Sequence, residues 1–382
     1  MSDNAKPVLV FTTAYQPRAS GAEIALAAVA EGLPQIDFHI LTPRYYSSSA
    51  KLEQQGHITI YRLGWGIWLD KWLFPILGFF AGLGLLKRHP RALLHAWQAS
   101  QAGGAAWLLR WWSGRPLLLT LQEGERLDRQ VWWLRFFRWL IIRRADQAVA
   151  ISQYLKKFIQ TSAPNLPVTV IPNGVALEQF THLSSYGEQA QLADQLGIRP
   201  GDKVLIHTGR LATKNGLVNL LKAIPLVQEK LSQTTIKLLL VGSGPEGDKL
   251  ASLAHELGIE QQIIWIKQVN QVQLVKYLQL AQVFIRPSLT EGLGNSFLEA
   301  MAAGVVIVGS GVGGIIDFLK DSETGLVCDP LNPADIAEKI YRLLDNSALK
   351  QKLAEAGQQL VLEKYGWEKI ATQYAKLYQS IK

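Results

Sequence analysis

The sequence predicts an α/β protein built from two doubly wound domains in tandem. Three observations carry that expectation. The length of 382 residues suits two domains of ordinary size. Short Val/Ile/Leu-rich runs recur in both halves, with helical Ala/Leu-rich stretches between them. One stretch, residues 177–202, is richer in polar residues, Gly and Pro, and interrupts the series once.

The elements follow in order. Residues 8–11 (Val-Leu-Val-Phe) read as a buried strand, and a loop with Pro17, Ser20 and Gly21 leads to a helix over 23–32. Further strands are expected at 38–41, 58–61, 117–120, 148–151 and 168–171, the last closing on the turn Pro172-Asn-Gly174. The second series runs through 204–207, 237–241, 263–265, 283–285 and 305–308. Helices over 333–346 and 348–365 come next, and 367–381 is an amphipathic helix.

Composition excludes several classes. With 48% hydrophobic and 18% charged residues, the chain is folded rather than disordered. The single cysteine, Cys328, permits no internal disulfide and points to a reducing compartment. Residues 1–6 lack a basic stretch followed by an apolar core, so no signal peptide is expected and the location predicted is cytoplasmic. The sequence has no Asp-x-Asp, no H-x-x-x-H pair among its seven histidines, no Walker sequence and no G-x-S-x-G; no metal and no cofactor are expected.

Charge is uneven. Residues 1–157 hold 19 Lys/Arg against 10 Asp/Glu, and ten of the twelve tryptophans. An anionic, amphipathic partner follows for this half. The apolar run 72–86 has 15 residues and includes Pro75, Gly78, Gly82 and Gly84, short of the ~20 that a membrane span needs. Residues 131–144 alternate apolar pairs with arginines at helical spacing, either a helix lying in a membrane interface or a core helix with solvated arginines. Taken together, these features favour peripheral contact with an anionic membrane. Nucleic acid is not expected, because the Trp-rich segments are apolar and no recognition module is present.

Two segments carry the chemistry. In Pro287-Ser-Leu-Thr-Glu291-Gly-Leu-Gly294-Asn-Ser-Phe-Leu-Glu299, a strand runs into a Gly-containing loop and then a helix from about Ser296 to Ala303, with Gly304 at its C′ position. The helix start offers free N–H groups to an anion. Glu291 can accept hydrogen bonds from sugar hydroxyls, and Glu299, on the first helical turn, can bind a vicinal diol such as a ribose. The plainer readings are a solvated loop acid for Glu291 and a Ser296–Glu299 capping box. In Gly209-Arg-Leu-Ala-Thr-Lys-Asn-Gly216, Arg210 and Lys214 follow the first strand of the second domain and suit a diphosphate. Val241-Gly-Ser-Gly-Pro-Glu-Gly247 formally matches G-x-G-x-x-G, but Pro245 sits among the N–H groups a pyrophosphate needs, and a tight turn is expected.

In combination these segments resemble the retaining glycosyltransferases of family 4. The resemblance also rests on residues 145–152, Val170-Ile-Pro-Asn-Gly174, Leu240-Val-Gly-Ser-Gly-Pro-Glu246, Gly313-Gly314 and Glu323-Thr-Gly-Leu326. It implies a GT-B fold: two facing Rossmann-like domains, residues 1–178 on the acceptor side and 179–365 binding the donor. The terminal helix, 366–382, would cross back to the first domain.

The resemblance also implies roles. The substrates would be a nucleotide-sugar donor and a sugar or lipid-linked acceptor. Glu291 would contact the donor sugar, with the amides of Gly292, Leu293, Gly294 and Asn295 along sugar and phosphate. Glu299 would hold the ribose. Arg210 and Lys214 would neutralise the diphosphate, Gly209, Asn215, Ser296 and Val269 would also belong to the donor site, and Gly21 would let the first domain approach that diphosphate. The sequence departs from the family pattern in four places: Ser20-Gly21 for two glycines, Asn215 where lysine precedes the glycine, Lys267 for a glycine, and Gln122 in Leu119-Thr-Leu-Gln122-Glu-Gly124 where histidine is frequent. Glutamine can hydrogen-bond a hydroxyl but cannot act as a base.

Overall fold

The computed structural model describes residues 6–17, 21–122, 132–182, 184–267 and 269–381. Ser20, Glu123, Gly124 and Val131, all part of the sequence reading, lie outside them. The chain forms two compact units, Met1–Asn173 with Trp367–Lys382, and Gly174–Gly366. The first break falls five residues before the expected 178/179. The polar stretch that suggested a linker is held in the second unit by side-chain bonds: Glu188 pairs with Lys276, and Gln279 bonds His182 and Ser184.

The first unit comprises β1 (Val8–Thr12), α1 (Gly21–Glu31), β2 (Phe38–Pro43), β3 (Leu52–Gln55), β4 (Ile58–Leu63), α2 (Asp70–Arg88), β5 (Leu93–Trp97), α3 (Gln101–Ser113), β6 (Leu117–Leu121), α4 (Trp132–Arg144), β7 (Gln147–Ala150), α5 (Gln153–Ser162) and β8 (Val168–Val170). The sheet order is β3-β4-β2-β1-β5-β6-β7-β8, parallel except for the edge pair β3–β4. Its central strands β2, β1, β5 and β6 are buried on both faces, as parallel strands covered by helices are. The C-terminal helix, Trp367–Ser380, completes this core with Ile370, Ala371, Tyr374, Leu377 and Tyr378. Tyr378 Oη lies 3.0 Å from Nδ1 of the buried His95, whose Nε2 meets Thr120 Oγ1 at 2.8 Å.

The helices α2, α3 and α4 depart from the usual amphipathic pattern. The inner face of α2 packs closely on α3, since a Cβ on Gly78 would lie 2.9 Å from Ala105 and one on Gly82 2.6 Å from Leu109. Its outer stripe is apolar too: Trp72, Ile76 and Phe80, four residues apart, all face solvent. Trp111 and Trp112 project from the end of α3, and Trp132, Phe136, Phe137 and Trp139 from α4. Before α2, the loop carrying Trp65, Ile67, Trp68 and Leu69 is also exposed, Trp68 by 77%. The buried Asp70 carboxylate fixes this loop by accepting the N–H groups of Trp65 (2.8 Å), Gly66 (2.6 Å) and Ile67 (3.1 Å). No described helix is long and apolar enough to cross a membrane.

The second unit adds α6 (Leu177–Thr181), α7 (Tyr186–Gln195), β9 (Lys203–Thr208), α8 (Leu217–Lys230), β10 (Ile236–Val241), α9 (Gly247–Glu256), β11 (Ile263–Ile266), α10 (Gln271–Leu280), β12 (Val283–Arg286), α11 (Asn295–Ala302), β13 (Val306–Ser310), β14 (Leu326–Cys328), α12 (Pro333–Asp345) and α13 (Ser347–Lys364). Its six strands are parallel in the order β11-β10-β9-β12-β13-β14. Leu205, Leu238, Leu240, Ile285 and Val308 form the sheet side of a core closed by Leu220, Ile224, Ile336 and Ile340.

Candidate functional site

In the second unit, β9 pairs with β10 on one side and β12 on the other, so the strand order reverses between β9 and β12. The crevice beyond the carboxyl ends at such a reversal is where open α/β sheets bind ligands. The two chemistry-bearing segments leave the sheet there. Residues 209–216 follow β9 and residues 287–294 follow β12. They lie against each other: Leu289 N donates to Lys214 O (2.7 Å), and a Cβ on Gly216 would sit 1.9 Å from Pro287 O. With φ at +69° as well, position 216 requires glycine.

The first segment is braced from behind. Gly209 N donates to Val241 O, Leu211 N to Ser243 O and Glu246 N to Leu211 O. The Gly-x-Gly residues 242–244 therefore form the tight turn that supports Arg210, and the backbone of 209–211 packs on them. Arg210 is exposed, Lys214 half-buried and Asn215 fully buried, its Nδ2 donating to Arg210 O.

Glu291 is not a solvated acid. It is only 8% exposed, with Oε2 on Arg286 Nη2 (2.6 Å) and Oε1 accepting its neighbour's Gly292 N–H (3.2 Å). Arg286 did not figure in the sequence reading, yet it is the hub of this site. It ends β12 at 7% exposure; Nη2 also donates to Asn215 Oδ1 (2.8 Å) and Nη1 to Ser296 Oγ (2.6 Å). A basic residue at a strand end reads as solvated, and only the strand order shows that this one faces the crevice.

Two details of α11 correct the sequence reading. The helix starts at Asn295 with Gly294 as its N-cap, φ +98°, so Glu299 lies on the second turn rather than the first. Ser296 is inside the helix and its hydroxyl is engaged by Arg286; it is not the cap of a Ser296–Glu299 box. The Glu299 carboxyl is therefore free of that capping role. Burial raises its pKa to about 7, against an opposing pull from Arg286. Leu293 of the loop is buried, and α11 begins two residues after it.

His207, on β9 beneath Gly209, is fully buried and neutral, its pKa lowered to about 3 by burial and then by the Arg286 charge. Val269 is half-buried in the loop after β11, beside the exposed Lys267. In the first unit, Gly21 opens α1, and Gln122 is buried just beyond β6, its Oε1 accepting from Asn173 Nδ2 (3.2 Å). Among the described residues no group of three His, Cys, Asp or Glu side chains is placed to hold a metal ion.

Comparison with known proteins places this architecture. The sucrose-phosphate synthase of Thermosynechococcus elongatus superposes with a TM-score of 0.85 at 21% identity, covering 98% of each chain. An Anabaena protein, HepE, solved in complex with UDP, gives 0.80 at 18% identity over 98% of this chain and 100% of that one. The fold is that of the GT-B class. Residues 19–179 match the model described as Glycosyltransferase Family 4, and residues 188–360 that described as Glycosyl transferases group 1. The chain belongs to glycosyltransferase family 4. An uncharacterised glycosyltransferase of Methanocaldococcus jannaschii is 31% identical over 235 residues, 61% of this chain and 60% of that protein. The chain spans about 60% of the length of the curated relatives it matches.

Proposed function

We propose that the protein transfers a sugar from a nucleoside-diphosphate sugar to an acceptor, with retention of anomeric configuration and without a protein-held metal. The observation supporting this reading is that the segment bearing Arg210 and Lys214 and the one bearing Glu291 and Glu299 leave neighbouring strands at the reversal of strand order and are bonded to each other there. Arg210 and Lys214 supply positive charge for a departing diphosphate, and the helix start supplies N–H donors. In a front-side substitution the bond from C1 to the diphosphate oxygen breaks while the acceptor oxygen bonds C1 on the same face. The acceptor's proton passes to the departing oxygen, so no side-chain base is needed and glutamine at position 122 is compatible with turnover. The structural relative solved with UDP supports a nucleotide-sugar donor.

The acceptor in this reading is lipid-linked or membrane-proximal, and the protein is peripheral on the cytoplasmic face of an anionic membrane. Supporting this is the number of exposed aromatic side chains on α2, α3 and α4: Trp72, Phe80, Trp111, Trp112, Trp132, Phe136, Phe137 and Trp139. Helix α4 has four arginines and no acid, and Arg143 lies 4.8 Å above the Trp139 ring, the pairing of apolar body and basic rim that suits an anionic interface.

Incubation of the protein with UDP- and GDP-sugars and a panel of lipid acceptors tests transfer, with the product's configuration read by NMR. Donor bound but neither transferred nor hydrolysed would instead indicate a binding protein with a degenerate acceptor side. Glu299→Ala should weaken thermal stabilisation by nucleoside diphosphate and nucleotide sugar alike, and Glu291→Ala mainly the sugar-dependent part. Flotation with vesicles containing 30% anionic lipid, as an experimental composition, checks the membrane clause; no binding at low salt removes it.

A further inference from the structure

Among the described residues, the crevice at the strand reversal contains the buried cation Arg286, whose bonds reach three separate segments. Through Nη2 it holds Asn215 of the first loop and Glu291 of the second, and through Nη1 it holds Ser296 of α11. Asn215 in turn holds the carbonyl of Arg210. The Glu291 carboxylate is thereby fixed on both oxygens, by Arg286 and by Gly292 N–H, before any sugar arrives. Arg286 Nε, also buried, has no partner among the described residues, the neutral His207 lies nearby, and among the described residues Glu291 is the carboxylate bonded to the guanidinium. Position 215 is neutral and already bonded to this charge. A lysine there would bring a second cation against Arg286, so the residues at 215 and 286 are coupled choices.

We propose that Arg286 is the positioning residue for recognition of the donor's sugar. It supplies from the end of β12 the buried positive charge that Asn215 does not carry, and it holds Glu291 in the orientation that meets the sugar hydroxyls. The inference rests on the donor-site reading above. Because Asn215 Oδ1 and Glu291 Oε2 share one nitrogen of Arg286, a longer cationic side chain at 215 reaches the same carboxylate once the guanidinium is gone. The charge can therefore be moved.

The test is calorimetric binding of UDP, UDP-glucose, GDP and GDP-mannose to wild type, Arg286→Met, Arg286→Lys and the double variant Asn215→Lys/Arg286→Leu. For whichever nucleotide wild type binds, Arg286→Met should raise the Kd of the nucleotide sugar at least tenfold and that of the diphosphate less than threefold. Arg286→Lys should fall between, and the double variant should return the sugar Kd to within threefold of wild type. Where transfer is measurable, the KM for donor should follow the same order. Equal loss for diphosphate and nucleotide sugar would mean that Arg286 merely supports the pocket, and would overturn the proposal. So would unchanged sugar binding in Arg286→Met, or a folded double variant without recovery. Should Arg286→Met not fold, Arg286→Lys and the double variant decide by the same criteria. Failure of wild type to bind any of the four probes would remove the donor-site reading itself, and the proposal with it.

Discussion

Glu299 carries a consequence for pH. Its carboxyl titrates near 7 in the free protein, because burial disfavours the anion more than Arg286 favours it. Under the proposed donor-site reading Glu299 accepts two ribose hydroxyls as a carboxylate, so binding below that pH requires the loss of a proton. Nucleotide affinity should then fall as pH drops from 8 to 6, approaching tenfold per unit at the acid end. Titrations in two buffers of different ionisation enthalpy measure the released proton directly. Glu299→Gln should abolish the pH dependence, and its persistence in that variant would assign it to another group. Glu291, Glu299, Arg210 and Lys214 entered the candidate site from the sequence through their place around glycines and a helix start taken with the ordered flanking motifs, since the spacing alone also allowed a solvated acid and a helix cap. Arg286 did not. Its role depends on which strand stands beside β9, a non-local fact that no window of sequence contains.

Elements were legible where both faces of a strand are buried and its residues branched. β3 was missed because Leu52-Glu-Gln-Gln55 is an exposed antiparallel edge with no apolar signature. β5 was missed for the opposite reason: Leu93-Leu-His-Ala-Trp97 follows the apolar α2 closely, and His95 and Ala96 dilute its strand signal although all five residues are buried. The alternatives left open for residues 131–144 meet in α4. Ile141 and Ile142 are core, while Phe136 and Phe137 face solvent among arginines. The helix thus has a core side and an exposed aromatic side. The loop before α2 supplies the prediction at this scale. Asp70→Ala removes three backbone hydrogen bonds to one carboxylate and should cost about 2 kcal/mol or more. Under the membrane reading it should also weaken vesicle flotation while leaving nucleotide binding intact, and unimpaired flotation would show that the displayed loop is not part of the docking face.

At the scale of the whole chain, each unit has one fully buried neutral histidine, His95 in the first and His207 in the second. Both have pKa values lowered to about 3, chiefly by burial. The unfolded chain takes up these protons below its ordinary histidine range, about 6.5, and the folded protein does not until about 3. The unfolded state thus binds more protons across that window, and stability is lost as pH falls through it, by about 1.4 kcal/mol per unit for each histidine. Chemical denaturation at pH 7, 6 and 5 should show the loss in both units. His95→Gln should flatten it for the first unit, and an unchanged slope in that variant would place the effect elsewhere.

The return of Trp367–Ser380 to the first unit has a temporal side. During synthesis the strands of that unit emerge first, yet His95 waits for Tyr378, 283 residues later, and Thr120 for Tyr374, 254 residues later. The second unit, continuous from Gly174 to Gly366, can close while the first still lacks a helix of its core. The half of the molecule that is made first is the last to be finished, and its aromatic surface leaves the ribosome on a unit that is not yet whole.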